Sequence, residues 1–376
     1  MELSKGRRRL LCTLAERNDL TKLKAQLAKI AAEHASLSSH SPDLIPDSSQ
    51  ATGTVHSNAG DQTLLELART VKDGAGSTLL HRAAQGAASD VATWLVRDCK
   101  VDIAPVNSLH KTPLHDAAAS NDTVTILLLA NAGAPLDATK FNDWTPLMYA
   151  CEKGHLEAAS ILVDRNAELV HERNREGSAP LYLAVRNGNV DLVRKLLNVG
   201  AEPNLENRNK RRPVHAAAMG GFLEVLKVLV EHGATLDPTI ARDSSGTTLW
   251  HEAAAHAQDE FLRELAKIEG LPEPSKLLDN NLRHPLHVAS REGNASTVAT
   301  LLSLSGAEDF INLQDVDGAT PLMHACVQGF DGCVKELLRK GADTSCKSSQ
   351  GGHTALELAQ RWKREACVET LLNICN

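Results

Sequence analysis

The sequence predicts an all-α repeat solenoid, built from stacked helix-turn-helix units joined by short β-hairpin tips. Two observations predict it. The stretch Thr112-Pro113-Leu114-His115-Asp116-Ala117-Ala118 has counterparts starting at Thr78, Thr145, Ala179, Arg212, Thr248, His284, Thr320 and Thr354, with offsets of 34, 33, 34, 33, 36, 36, 36 and 34 residues. Each start is followed by a second run with paired apolar residues, such as Val190-Asp191-Leu192-Val193-Arg194-Lys195-Leu196-Leu197. Self-similarity at a fixed period of this size marks units that bury their apolar faces only by stacking.

Each repeat obeys the same physical rules. Thr112 is placed to cap the first helix, and Pro113 suits the first turn, where a missing N–H costs nothing. Leu114 and the pair Ala117-Ala118 are expected to face neighbouring repeats, where small side chains allow close approach. His115 is expected to bond locally near the helix start. Gly154, Gly188, Gly221, Gly293 and Gly329 end first helices where a left-handed backbone is needed, with Asn121 as a substitute. Gly-Ala pairs at 133–134, 200–201, 233–234 and 341–342 end second helices.

The N-terminal stretch has the spacing of a worn helix pair, so residues 1–35 are expected to form a degenerate cap. Residues 36–73 are expected to be a flexible loop with a short helix at 63–68, since Ser, His, Pro and Gly dominate 36–60. Residues 74–376 then hold nine repeats in one continuous array. Extra length around Asp237–Ile240, Leu271–Pro274 and Ala307–Phe310 is expected to emerge as loops.

Composition narrows the function classes. A net charge of -7 gives no bulk reason to bind nucleic acid, and no stacking platform repeats along the chain. No apolar run reaches the length of a membrane span. The eight cysteines include no C-x-x-C pair, and Cys151 and Cys326 stand where other repeats have alanine. They read as small buried residues in a reducing compartment, the cytoplasm or nucleus.

No chemistry-bearing motif survives inspection. His251-Glu252-Ala253-Ala254-Ala255-His256 resembles a zinc-protease helix, but that motif needs histidines four apart and these are five apart. A metal-dependent enzyme built on His251 and His256 is therefore only a remote alternative. Asp73-Gly74-Ala75-Gly76-Ser77-Thr78 lacks the P-loop frame. The framework histidines 81, 115, 215, 251 and 287 fall one per repeat rather than converging. The expectation is no enzyme activity, no cofactor and no metal.

Binding positions are found by counting from each start residue. They are Lys111, Phe141, Trp144, Glu152, Lys153, Arg175, Arg186, Arg208, Lys210 and Arg211. Phe141 and Trp144 share one tip in a chain with only 3% aromatic residues, and aromatics and Arg dominate binding energy elsewhere. Arg173, Arg175, Arg208, Lys210, Arg211 and Arg212 reverse the local charge, which suits an acidic patch on a protein partner. A monomeric scaffold binding that partner on a concave face is expected, centred on the third to fifth repeats.

With the phrase T-P-L-H-x-A at a period near 33, residues 74–376 resemble the ankyrin-repeat family. The resemblance implies stacked helix pairs and protein binding. Arg8-Arg9-Leu10-Leu11-Cys12, Gly76-Ser77-Thr78-Leu79-Leu80-His81 and Asp143-Trp144-Thr145-Pro146-Leu147-Met148-Tyr149-Ala150-Cys151 also resemble a narrower ankyrin family associated with alanyl-tRNA synthetase and translation fidelity. That resemblance implies the synthetase as partner and lysine side chains that accept misactivated serine. At the matching positions this chain has Phe141, Arg175 and Asn204, and a guanidinium, always protonated, cannot replace a neutral amine nucleophile.

Overall fold

The structure is a computed structural model that describes residues 3–38, 56–237, 239–268, 276–304, 307–349 and 351–374. The chain divides into two compact units, Met1–Arg175 and Glu176–Asn376. The first contains α1 (Lys5–Glu16), α2 (Leu20–Ser38), α3 (His56–Thr70), α4 (Leu79–Gln85), α5 (Ser89–Arg97), α6 (Pro113–Ala119), α7 (Thr123–Asn131), α8 (Pro146–Lys153), α9 (Leu156–Arg165) and a 3-10 turn at Ala167–His171. The second contains α10 (Pro180–Asn187), α11 (Val190–Asn198), α12 (Pro213–Gly220), α13 (Leu223–Glu231), α14 (Leu249–Ala255), α15 (Asp259–Leu265), α16 (Pro285–Glu292), α17 (Ala295–Leu301), α18 (Ala307–Phe310), α19 (Pro321–Gln328), α20 (Asp331–Arg339), α21 (Ala355–Arg361) and α22 (Glu365–Ile374). Within each unit, first helices pack on first helices and second on second, as a helical solenoid requires.

The helix starts follow from their sequence. Thr145 Oγ1 accepts the Met148 N–H at 3.3 Å, and Thr320 treats Met323 the same way. Leu114, Ala117 and Ala118 are buried, so the repeated phrase forms the core between layers. Cys151 and Cys326 are fully buried and free, and burial pushes both thiols up. First helices end on left-handed residues at a constant offset: Gly154 and Gly188 at φ 73° and 82°, but also Asn121, Ala87, Ala257 and Lys363.

The histidine is more than a local cap. His115 Nδ1 accepts the Thr112 N–H at 3.1 Å, which places the proton on Nε2. That N–H donates to the Trp144 carbonyl of the next hairpin at 3.0 Å. His81 reaches Lys111 O, His251 reaches Arg283 O and His287 reaches Leu313 O, at 2.8, 2.9 and 3.0 Å. His215 makes the same clip more loosely: the Arg212 N–H donates to its Nδ1 at 3.1 Å, and its buried Nε2 faces the Thr247 carbonyl outside strict hydrogen-bond geometry. Burial holds the rings neutral: His115, His251 and His287 are pulled down to about 4.

Most hairpin tips are closed by one backbone bond rather than by strands, because five residues leave no room for a ladder along the hairpin. Asn107 N–H donates to Lys111 O, and Asp243 N–H to Thr247 O. A ladder runs instead from tip to tip. In the first unit Ser108 N–H donates to Ala75 O at 2.9 Å, Phe141 to Leu109 O at 3.5 Å, and Arg175 to Asn142 O at 2.8 Å. In the second, Arg208 donates to Glu176 O, Ser244 to Asn209 O, Asn280 to Ser245 O and Val316 to Asn281 O. Counted from the start residue, the donor in these seven steps is four back and the acceptor three back; the last step, Ser349 N–H to Asp317 O, has its donor five back.

Some expectations change. The N-terminal helix pair is present as α1 and α2, but α2 runs on to Ser38. The short helix expected at 63–68 is the longer α3, whose Leu67, Ala68 and Val71 are buried. Most of the loop expected at 36–60, residues 39–55, lies outside the described residues, as do Leu271–Pro274 and Pro238. Ala307–Phe310 is not a loop: it forms α18, because Phe310 is fully buried and stacks on His284 at 4.3 Å.

Candidate binding site

In most hairpins the residue five before the start is Asp or Asn, and its side chain ties the turn. Asn107 Oδ1 accepts the Leu109 and Lys111 N–H groups at 2.9 and 3.1 Å. Asp73, Asn207, Asp243, Asp279 and Asp315 make the same pair of bonds. The hairpin of Phe141 and Trp144 breaks this rule. Its residue at that place is Lys140, which has no acceptor to offer.

Lys140 does something else. Its ammonium lies 5.6 Å from the Trp144 ring centroid and 5.0 Å from that of Tyr149. Trp144 and Tyr149 are 5.3 Å apart. Lys111 sits over the Tyr149 ring from the preceding repeat, at 4.7 Å, and pairs with Asp116 at 2.7 Å. Such cation–ring contacts contribute roughly 0.5–1 kcal/mol each at exposed sites. Burial raises the Tyr149 phenol above its ordinary value. Phe141 leans on His110 of the preceding tip at 4.7 Å yet remains 52% exposed. Asn142 and Asp143 at the turn are both left-handed, at φ 68° and 59°.

The second unit has a different character. Arg211 is held by Asp243 at 3.4 Å and by Glu252 in a close ion pair. Arg212 is held by Glu206 at 2.7 Å. Arg208 and Lys210, beside them, are exposed. His251 has both ring nitrogens engaged by backbone, so neither is available to a metal, and His256 Nδ1 contacts its own Glu252 carbonyl at 3.0 Å.

A family model of ankyrin repeats in three copies matches residues 123–207, 181–273, 214–309 and 286–376. These overlapping matches span more than half of the chain. The chain belongs to the ankyrin-repeat family. The histidine clips of His81 and His115 show the same ankyrin geometry ahead of the matched region. Among curated relatives, the transient receptor potential cation channel subfamily A member 1 of Homo sapiens is 32% identical over 203 residues, covering 52% of this chain and 18% of that protein. The ankyrin repeat and KH domain-containing protein mask-1 of Caenorhabditis elegans is 26% identical over 290 residues, 76% of this chain and 10% of that protein. The poly(ADP-ribose) polymerase tankyrase of Caenorhabditis elegans is 30% identical over 286 residues, 64% of this chain and 12% of that protein. The chain thus spans from 10% to 18% of the length of these relatives.

On the ankyrin frame, the expected binding residues separate. In the first unit, Lys111, Phe141 and Trp144 are brought together. Glu152 is half-buried and Lys153 and Arg175 are exposed. In the second unit, Arg186, Arg208 and Lys210 are exposed, while Arg211 is tied down. Counting from the start residue passed over the position four after it, which meets the hairpin. Asp116, Tyr149 and Glu252 stand there, and each touches a tip residue. The signal was present in the sequence: Tyr149 is one of only two tyrosines.

Proposed function

We propose that this chain is a non-enzymatic ankyrin scaffold that binds a protein partner, and that its first unit grips the partner through Phe141, Trp144, Tyr149 and Lys140. One observation carries the reading. The 140–144 hairpin gives up the side-chain tie found in its neighbours and presents rings and a cation instead. A local rule broken at this hairpin, where Lys140 packs on the rings instead of tying the turn, is what a functional site looks like. Exposed aromatic residues anchored by neighbours have the chemistry of binding hot spots. In the second unit, exposed Arg208 and Lys210 have the charge to suit an acidic patch on a protein partner.

The test is the double substitution Phe141→Ala with Trp144→Ala. Proteins captured by tagged wild type are identified by mass spectrometry, then compared with those captured by the variant. The expected outcome is loss of the principal partner, by about thirtyfold or more in affinity, with thermal unfolding still cooperative. An unchanged set of captured proteins overturns the reading. Capture should also weaken as salt rises if Arg208 and Lys210 contribute.

A narrower reading rests on the resemblance to ankyrin repeat domain-containing protein 16, with alanyl-tRNA synthetase as partner. Of the positions matching acceptor lysines, Asn204 ties the next repeat, donating to Gly233 O at 2.8 Å and accepting from Thr235 N–H at 2.9 Å. Such a residue serves packing, so this reading keeps the partner and drops the acceptor chemistry. Co-purification with the synthetase decides it. A cytoplasmic or nuclear location fits the free thiols of the described cysteines.

A further inference from the structure

The tip-to-tip ladder of the first unit has an unmade bond at its N-terminal end. In the seven regular steps the donor lies four residues before its start, so the donor of the first hairpin is the Gly74 N–H. No described tip stands ahead of it, and Gly74 N–H has no partner among the described residues. Gly74 lines an open groove, and a Cβ built on it would meet nothing within 4 Å. An extended backbone placed there would continue the ladder by one step.

The surroundings give the chemistry of what fits. A groove of about 1000 Å³ runs between α1 and this hairpin. Buried Leu3 and Cys12 supply an apolar floor. Four cations line it, Lys5, Arg8, Arg9 and Arg82, against the two carboxylates Glu16 and Asp73. Asp73 is already engaged: Oδ1 accepts from Ala75 and Ser77 at 2.8 and 2.9 Å, and Oδ2 holds Arg82. Arg8 Nε donates to Leu3 O at 2.9 Å. Lys5 and Arg9 are exposed, and neither pairs with a carboxylate among the described residues. The groove therefore carries a positive balance on a chain of net charge -7.

We propose that this groove is a second interaction surface, which takes an extended acidic segment of a partner protein. A backbone carbonyl of the segment accepts the Gly74 N–H and extends the ladder, in the manner of strand addition. Its carboxylates meet Lys5 and Arg9, and apolar side chains between them rest on Leu3 and Cys12. The alternation suits an extended chain, whose successive side chains point to opposite sides. This surface is separate from the Phe141 tip and does not depend on it.

The experiment measures fluorescence anisotropy of a labelled seven-residue peptide of alternating glutamate and valine, titrated with the full chain at about 150 mM salt, near physiological screening. A lysine–valine peptide, a single-stranded RNA of ten uridines and inorganic phosphate serve as comparisons. Two variants separate the contributions. Lys5→Glu with Arg9→Glu reverses the charge at exposed positions. Gly74→Pro removes the donor alone, because Gly74 is the second residue of a turn closed by Gly76 N–H on Asp73 O at 3.1 Å, where proline's fixed φ is accepted. A depsipeptide probe with ester carbonyls, which are weaker acceptors, tests the same bond on the unaltered protein. The expected result is binding of the acidic peptide alone, a tenfold or greater loss on charge reversal, and a loss of about fivefold both with Gly74→Pro and with the depsipeptide. The proposal is overturned if the acidic peptide fails to bind, or if charge reversal leaves its affinity unchanged. RNA or phosphate that binds as well as the peptide overturns the protein-segment assignment. Equal binding of the ester and amide probes overturns the ladder extension.

Discussion

At the residue scale, the left-handed position that ends each first helix shows what the framework tolerates. Gly154, Gly188, Gly221, Gly293 and Gly329 meet it without strain, while Ala87, Ala257 and Lys363 hold positive φ with a Cβ in place. A left-handed alanine costs roughly 1–2 kcal/mol, and glycine gives part of that back through its greater freedom when unfolded. Ala257 is exposed, so Ala257→Gly removes strain without opening a cavity. It is expected to raise stability by about 0.5–1 kcal/mol, seen as a higher urea midpoint with an unchanged slope. A lower midpoint contradicts the strain argument. The glycine column was legible because glycine announces a positive φ. Lys140 was not legible as part of the site. Its meaning depends on the Asp or Asn that occupies its position in other hairpins, and on Tyr149 lying nearby, which only the folded turn reveals.

At the element scale, the histidine clip couples one first helix to the next hairpin. The sequence predicted the cap and missed the second bond, because the acceptor is a backbone carbonyl about thirty residues away and carries no residue signature. The clip gives a pH dependence with a definite sign. Burial pulls His115, His251 and His287 down to about 4, below the unfolded value near 6.5. Their contribution is complete above pH 6.5 and is lost as pH falls toward 4. Each histidine can contribute a slope of up to about 1.4 kcal/mol per pH unit in that window. Denaturant titrations between pH 7 and 5 should show this fall in stability. The slope should shrink in His287→Met, since Met148 and Met323 fill the same position elsewhere and are buried. An equal slope in that variant would assign the dependence to other groups.

At the scale of the whole molecule, repeats that contact only their neighbours behave as a one-dimensional chain of local stabilities. Leu262→Ala, at a fully buried position in α15, should cost about 2–5 kcal/mol locally. Faster hydrogen exchange is expected in α13 to α17, with amides of α20 and α22 keeping their protection. Uniform loss of protection would instead indicate a single cooperative block. The repeat architecture could be read from spacing alone, since every apolar position recurs. The division at Arg175 and Glu176 could not, because it depends on packing density and no change of period marks it.

The tip ladder has one more consequence, for descent. Its bonds are made by main-chain atoms, so the side chains at the donor positions are free to change. Ser108 and Phe141 make the same bond in one unit, as do Ser244 and Val316 in the other. A lineage can therefore rewrite the recognition surface one residue at a time while the scaffold remains intact. New specificity can arise in such a chain by drift across neutral steps, without a compensating change elsewhere.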